Sequence, residues 1–147
     1  MITKEQIQHT LIEAFPSFAP RVNESDLPYV VLGDFARFLL KRYQDNDEPV
    51  LREAARIIEL LHTSGDKYVK EAATTGLLEG IQNTWPSEGV DPEPFRNLLG
   101  PVSQQWWDSL NRFWKKEIPF VGADIKCTEP GGGAYWRPAN GSPNAHP

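Results

Sequence analysis

The chain has 147 residues, 20 acidic against 15 basic side chains for a formal net charge of −5, and 39% hydrophobic and 24% charged residues. That length fits one domain able to bury roughly 68–70% of the surface its unfolded chain exposes, so a core needs no disulfide staple. The acidity argues against broad affinity for nucleic acid, and no apolar run approaches the roughly 20 residues that span a bilayer, so neither a nucleic-acid nor a membrane partner is expected.

Charges scattered through the opening MITKEQIQHTLIEAF leave no unbroken apolar region of the kind a signal peptide needs. The single cysteine, Cys127, cannot close an internal disulfide. Both features place the chain in the cytoplasm.

Thr3-Lys4-Glu5-Gln6 resembles a capping box and opens a first helix to about Phe15, with Ile7, Leu11 and Phe15 on one face. Pro16 and Pro20 end it. In LPYVVLGDFARFLLKRYQ, Val31, Phe35, Phe38 and Leu39 line one side and Asp34, Arg37 and Lys41 the other, the pattern of an amphipathic helix. Asp47-Glu48-Pro49 caps a third helix, about residues 48–63, with Leu51, Ala54, Ile58 and Leu61 inward and Arg52, Arg56 and Glu59 outward. Gly65 stops it and Asp66 caps the next helix, which predicts a tight hairpin.

The fourth helix carries a stripe of Val69, Ala72, Ala73, Gly76, Leu77, Gly80 and Ile81. Each glycine costs roughly 1 kcal/mol of helix propensity, which close packing against another helix would offset. NTWPSEGVD, residues 83–91, reads as a loop bearing Trp85, and Asp91-Pro92-Glu93 then caps a short helix ending near Leu99. Ser103 is positioned to cap an aromatic helix on which Trp106, Trp107, Leu110, Phe113 and Trp114 form one core-facing stripe. Three indoles are hard to bury completely and each N–H wants a partner, so one edge indole, Trp107 or Trp114, is expected at the surface. The Gly- and Pro-rich segment 121–147 is expected to be an irregular or disordered tail. The fold class that follows is all-α, a compact single-domain bundle of five to six helices over residues 1–120.

Little in the sequence points to catalysis. His9, His62 and His146 stand far apart without metal-ligand spacing, and no phosphate loop or G-x-S-x-G occurs. Cys127 has no accompanying motif. No catalytic residue, metal or cofactor is assigned. Negative charge concentrates in two loops, Asp45, Asp47 and Glu48, then Glu88, Asp91 and Glu93. These residues suit helix capping, and they also suit a patch that meets a basic protein. Trp85 and Trp107 are the candidate anchors beside them, with Trp85 otherwise a plug that closes one end of the bundle.

AATTGLLEGIQN followed by FRNLLGPVSQQWWDSLNRFW resembles a group of small, all-helical bacterial proteins of unknown function, some of which are held to be immunity proteins for secreted toxins. The shared elements are Gly-Leu-Leu-Glu at 76–79 and Leu-Gly-Pro at 99–101, and the resemblance covers about residues 48–114. It implies a cytoplasmic binder that blocks a basic toxin surface with its acidic loops and a tryptophan anchor. Two other functions fit the composition: a small enzyme or small-molecule binder with an interhelical pocket lined by Trp106, Tyr68 and Phe38, and a helical scaffold whose tail, with Tyr135, Trp136 and Arg137, docks on a partner. The oligomeric state is left open.

Overall fold

The computed structural model describes residues 1–125. Among them the fold is all-α, and the only extended pairing is an isolated bridge between Ile2 and Gly65. Through it Ile2 N donates to Ser64 O and Asp66 N to Ile2 O, both at 2.8 Å, which pins the N-terminus on the expected hairpin. A 3₁₀ turn, Lys4–Gln6, leads into α1 (Ile7–Ala14). Pro16 ends α1, yet the chain stays helical as a 3₁₀ segment, Pro16–Arg21, because that tighter turn drops Phe18 into the core beside Phe35 and Phe38.

Helix α2 (Pro28–Gln44) starts on a proline in its first turn, where the missing N–H has no intrahelical partner to lose. It is the central rod. α3 (Glu48–Ser64) is capped by Asp47, which accepts from Val50 N, and α4 (Lys67–Glu71) by Asp66, which accepts from Val69 N at 2.9 Å. Gly65 between them has an ordinary φ of −77°. Its requirement is space, since a Cβ there would collide with Leu61 O and the Val69 side chain.

α4 continues through a π-helical stretch, Ala72–Leu78, into α5 (Glu79–Ser87). The consecutive Thr74 and Thr75 hydroxyls donate back to Lys70 O and Glu71 O, a competition for carbonyls that bends and loosens a helix. Counting α4 and α5 together or apart gives five or six α-helices among the described residues. α2 fills the small-residue groove: the Cβ positions of Gly76 and Gly80 lie 3.1 Å from Tyr29 and Leu32 and 3.5 Å from Ala36.

Residues 83–87 belong to α5, where the sequence suggested a loop. The Trp85 indole is buried between Tyr43 and Phe95 and donates to Ala36 O at 3.1 Å, and this packing outweighs the extended preference of a residue before proline. A 3₁₀ segment, Glu93–Leu98, leads to α6 (Pro101–Trp114). The chain then folds back on α6. Val121 is buried, and Gly122, at φ +93°, lies on the Trp106 ring and donates to Ser109 Oγ at 2.6 Å. The packed bundle therefore reaches residue 125, past the expected boundary at 120. The rest of the expected tail, with Cys127, Tyr135, Trp136, Arg137 and His146, lies outside the described residues.

Candidate partner-binding face

Tyr43 of α2, Trp85 of α5 and Phe95 pack in sequence with tilted rings, which gathers both acidic loops at the C-terminal end of α2. Their charges are largely engaged there. Lys41 reaches Asp45 at 3.2 Å, Arg42 lies 3.9 Å from Asp45 and 3.8 Å from Asp47, and Arg52 meets Glu48 at 2.6 Å. Asp91 accepts from Glu93 N at 3.0 Å. Glu93 accepts from Trp107 Nε1 at 3.1 Å and from Asn111 at 3.2 Å. Glu88 is exposed at the end of α5.

Two expected anchors are corrected. Trp85 and Trp107 are fully buried, and each indole N–H already has its acceptor, so neither side chain can reach a partner from this fold. Trp107 is sealed because the Glu93–Leu98 segment lies across α6, held by the two-point Arg96–Asp108 pair at 2.7 and 2.6 Å. The surface indole is Trp114, 53% exposed, beside an open depression of about 550 Å3 with Phe113, Ile118 and Pro119.

The interior holds a polar chain that sequence reasoning missed. Glu59 turns from α3 onto the start of α6, accepting from Val102 N at 3.1 Å, Ser103 N at 2.9 Å and Ser103 Oγ at 2.8 Å. Ser103 is therefore held by Glu59 and is not itself the cap. Gly100 makes room, since a Cβ there would strike the Glu59 carboxylate. His62 is buried between Ser103 Oγ, 2.8 Å from Nδ1, and Thr74 Oγ1, 2.9 Å from Nε2. Burial pushes the imidazole down to about 4, against the pull of Glu59, so it is neutral at pH 7. Each hydroxyl has one proton, so with Ser103 donating to the Glu59 carboxylate, a charge-assisted bond, Nδ1–H donates to Ser103 Oγ and Thr74 turns its hydroxyl from Lys70 O to donate to Nε2. Serine, histidine and carboxylate are the ingredients of a hydrolytic triad, but here the serine sits between the other two and is fully buried. The chain ties α3, the π stretch and α6 together. Among the described residues no three His, Cys, Asp or Glu side chains converge on a metal position.

The opposite end of α2 differs. Leu27 is 70% exposed and Val30 49%, with Tyr29 partly exposed between them. Tyr29 OH lies 3.1 Å from Thr75 Oγ1, and its ring meets Tyr68 edge-on, with centroids 6.0 Å apart at 83°. Glu71 and Glu79 flank this pair on the π-bearing rod, half-buried, and neither has an ion-pair partner among the described residues. Burial pushes both carboxyls above the usual range, with Lys67 only partly offsetting this at Glu71. Burial also raises the Tyr29 phenol; the Thr75 bond opposes this, and the charges of Glu71 and Glu79 add to it. Next to Tyr29 a cleft of about 440 Å3 is lined by Lys4, Glu5, Gln8, Glu24, Asp26, Leu27 and Tyr68. Of the interhelical pocket expected from Trp106, Tyr68 and Phe38, only Tyr68 borders this cleft, while Trp106 and Phe38 are buried elsewhere.

A sequence model of the family described as a domain of unknown function, DUF7674, matches residues 9–115. The chain belongs to this family. No curated protein and no solved structure matches it. The DUF7674 match takes in Tyr29, Tyr68, Glu71, Thr75 and Glu79, and also the Glu59–Ser103–His62–Thr74 chain, whereas Lys4, Glu5 and Gln8 of the cleft precede it. The DUF7674 helices thus carry both the buried polar chain and the acidic, aromatic face. Some of this face was visible in the sequence. Leu27, Tyr29 and Val30 lie off the Val31–Phe35–Phe38 stripe, and apolar residues off the buried stripe are the signal of an exposed patch.

Proposed function

We propose that this domain is a non-catalytic protein binder of the immunity type, acting in the cytoplasm, which occludes a basic surface of a toxin. The observation that carries this reading is the pair of half-buried carboxylates without an ion-pair contact, Glu79 and the Glu71 that Lys67 only partly offsets, beside the exposed Leu27–Tyr29–Val30 ridge. A desolvated carboxylate without a counter-charge is a loss in the free protein, and a partner's Lys or Arg offsets it on binding. The apolar ridge supplies the contact area that charge alone does not. The acidic surface meets the partner with this face, instead of with the engaged loops around Trp85.

The test is co-purification with the product of a neighbouring gene at low and moderate salt, using wild type and the double variant Glu71→Gln/Glu79→Gln. Retention by wild type that falls as salt rises, and drops further in the variant, is the expected result. No retention at either salt would sink the binder reading.

A further inference from the structure

Lys4 stands at the mouth of the cleft with its Nζ 5.5 Å from the centroid of the Tyr68 ring. Tyr29 forms a second wall, nearly perpendicular to the first, and Glu5, Glu24 and Asp26 line the space around them. Two aromatic walls at a right angle with carboxylates around them form the kind of half-cage that accepts an alkylammonium ion through ring quadrupoles and charge. The chain's own ammonium already lies over one of the two walls, Tyr68. Lys4 is exposed and no carboxylate lies within ion-pair distance of it among the described residues. It is placed by the Ile2–Gly65 bridge and the 3₁₀ turn that follows, which carry residue 4 onto the start of α4.

We propose that the Tyr29–Tyr68 cleft is a receptor for a lysine ammonium on a basic segment of a partner protein, and that Lys4 is an internal stand-in which the partner's lysine displaces. This rests on the protein-binding reading above and adds to it the chemistry of one recognised side chain. The occupant is a lysine on a protein segment because three carboxylates line the cleft with the rings and because exposed Leu27 lines it too, to receive the apolar part of such a segment. A resident competitor lowers the apparent affinity by the fraction of time it fills the site, so removing it tightens binding.

The probe is the capped tripeptide acetyl-Gly-Lys-Gly-amide, with the norleucine tripeptide as its uncharged counterpart. Both are titrated against the full chain while the ring resonances of Tyr29 and Tyr68 are followed by NMR. Lys4→Gln should bind the lysine probe about two- to five-fold more tightly than wild type, the range an exposed cation–π contact corresponds to. Adding Tyr68→Leu to Lys4→Gln should abolish the gain, and the norleucine probe should move neither ring. Thermal melting of each variant confirms that it is folded. Equal affinity of wild type and Lys4→Gln, equal response to the norleucine probe, or no ring shift in either protein overturns the proposal. The two claims fail separately. A titrating lysine probe with no neighbouring-gene partner retained leaves the cleft and removes the immunity reading. A retained partner together with a lysine probe that binds wild type and Lys4→Gln equally does the reverse.

Discussion

The two ends of α2 lie about 24 Å apart along one helix and have opposite electrostatic arrangements. At the C-terminal end Asp45, Asp47 and Glu48 face Lys41, Arg42 and Arg52, and Trp85 closes the bundle beneath them. At the N-terminal end Glu79 has no counter-charge, Lys67 only partly offsets the burial of Glu71, and Leu27, Tyr29 and Val30 stand largely in solvent. Density of acidic residues in the sequence marks the first end. The second end is the one whose charges are left unsatisfied, and unsatisfied groups are where a partner gains most.

The sharpest way to break this comparison is to truncate one apolar side chain at each end. Trp85→Ala removes a fully buried indole and its bond to Ala36 O, and should destabilise the domain by about 3–5 kcal/mol. Leu27→Ala should shift stability by no more than about 0.5 kcal/mol, because the side chain is already in water. Urea denaturation midpoints measure both. A comparable loss from the two substitutions would mean that the ridge around Leu27 is part of the core.

Much of the bundle could be read from the sequence because its helices obey one rule, apolar spacing bounded by polar caps. Asp47 and Asp66 cap where they were expected to, and Gly76 and Gly80 admit α2. What could not be read depends on contacts between segments distant in sequence. Trp85 is helical because Tyr43 and Phe95 hold it, and Trp107 is sealed because Arg96 reaches Asp108. Glu59, 44 residues before Ser103, sits on what looks like an outward face of α3 until α6 is laid against it. His62 was closer to legible. It extends the Leu51–Ala55–Ile58 stripe by a further four residues, so a histidine on the buried face was present in the pattern, though its partners Ser103 and Thr74 were not.

Buried His62 should give the domain a pH dependence of its own. Its folded value of about 4 lies below the ordinary 6.5, so the unfolded chain takes up the proton first as pH falls. Its contribution is complete above pH 6.5 and is lost as pH falls through about 4, a change of roughly 3 kcal/mol. Glu71 and Glu79 act in the opposite direction, since carboxyls raised by burial favour the folded state as they protonate. In His62→Leu the Ser103 and Thr74 hydroxyls have Glu59 and Lys70 O as acceptors. That variant should therefore lose the acid-side slope between pH 6.5 and 4 while keeping most of its stability at pH 7. Denaturation midpoints measured across that window decide it. An unchanged slope in His62→Leu would assign the acid sensitivity to a carboxylate held below its ordinary range, such as Asp124 with its Ser109 and Arg112 bonds.

The smallest effect bears most directly on the comparison, because its sign differs between the ends. Asp45→Asn with Glu48→Gln removes acids from exposed pairs with Lys41, Arg42 and Arg52, and such pairs contribute about 0–1 kcal/mol each, so stability at pH 7 should stay level or fall slightly. Glu71→Gln with Glu79→Gln removes two carboxylates whose burial is offset only in part, by Lys67 at Glu71, so stability at pH 7 should rise. The gain should vanish as pH falls through the raised carboxyl values, because the wild-type groups become neutral there too. A gain in stability coupled to a loss of partner retention is what a site held ready for a ligand shows, since the charge that weakens the free protein is the one the partner's cation neutralises. If both double variants move stability in the same direction, Glu71 and Glu79 have counter-charges in solution and the two ends of α2 are electrostatically alike.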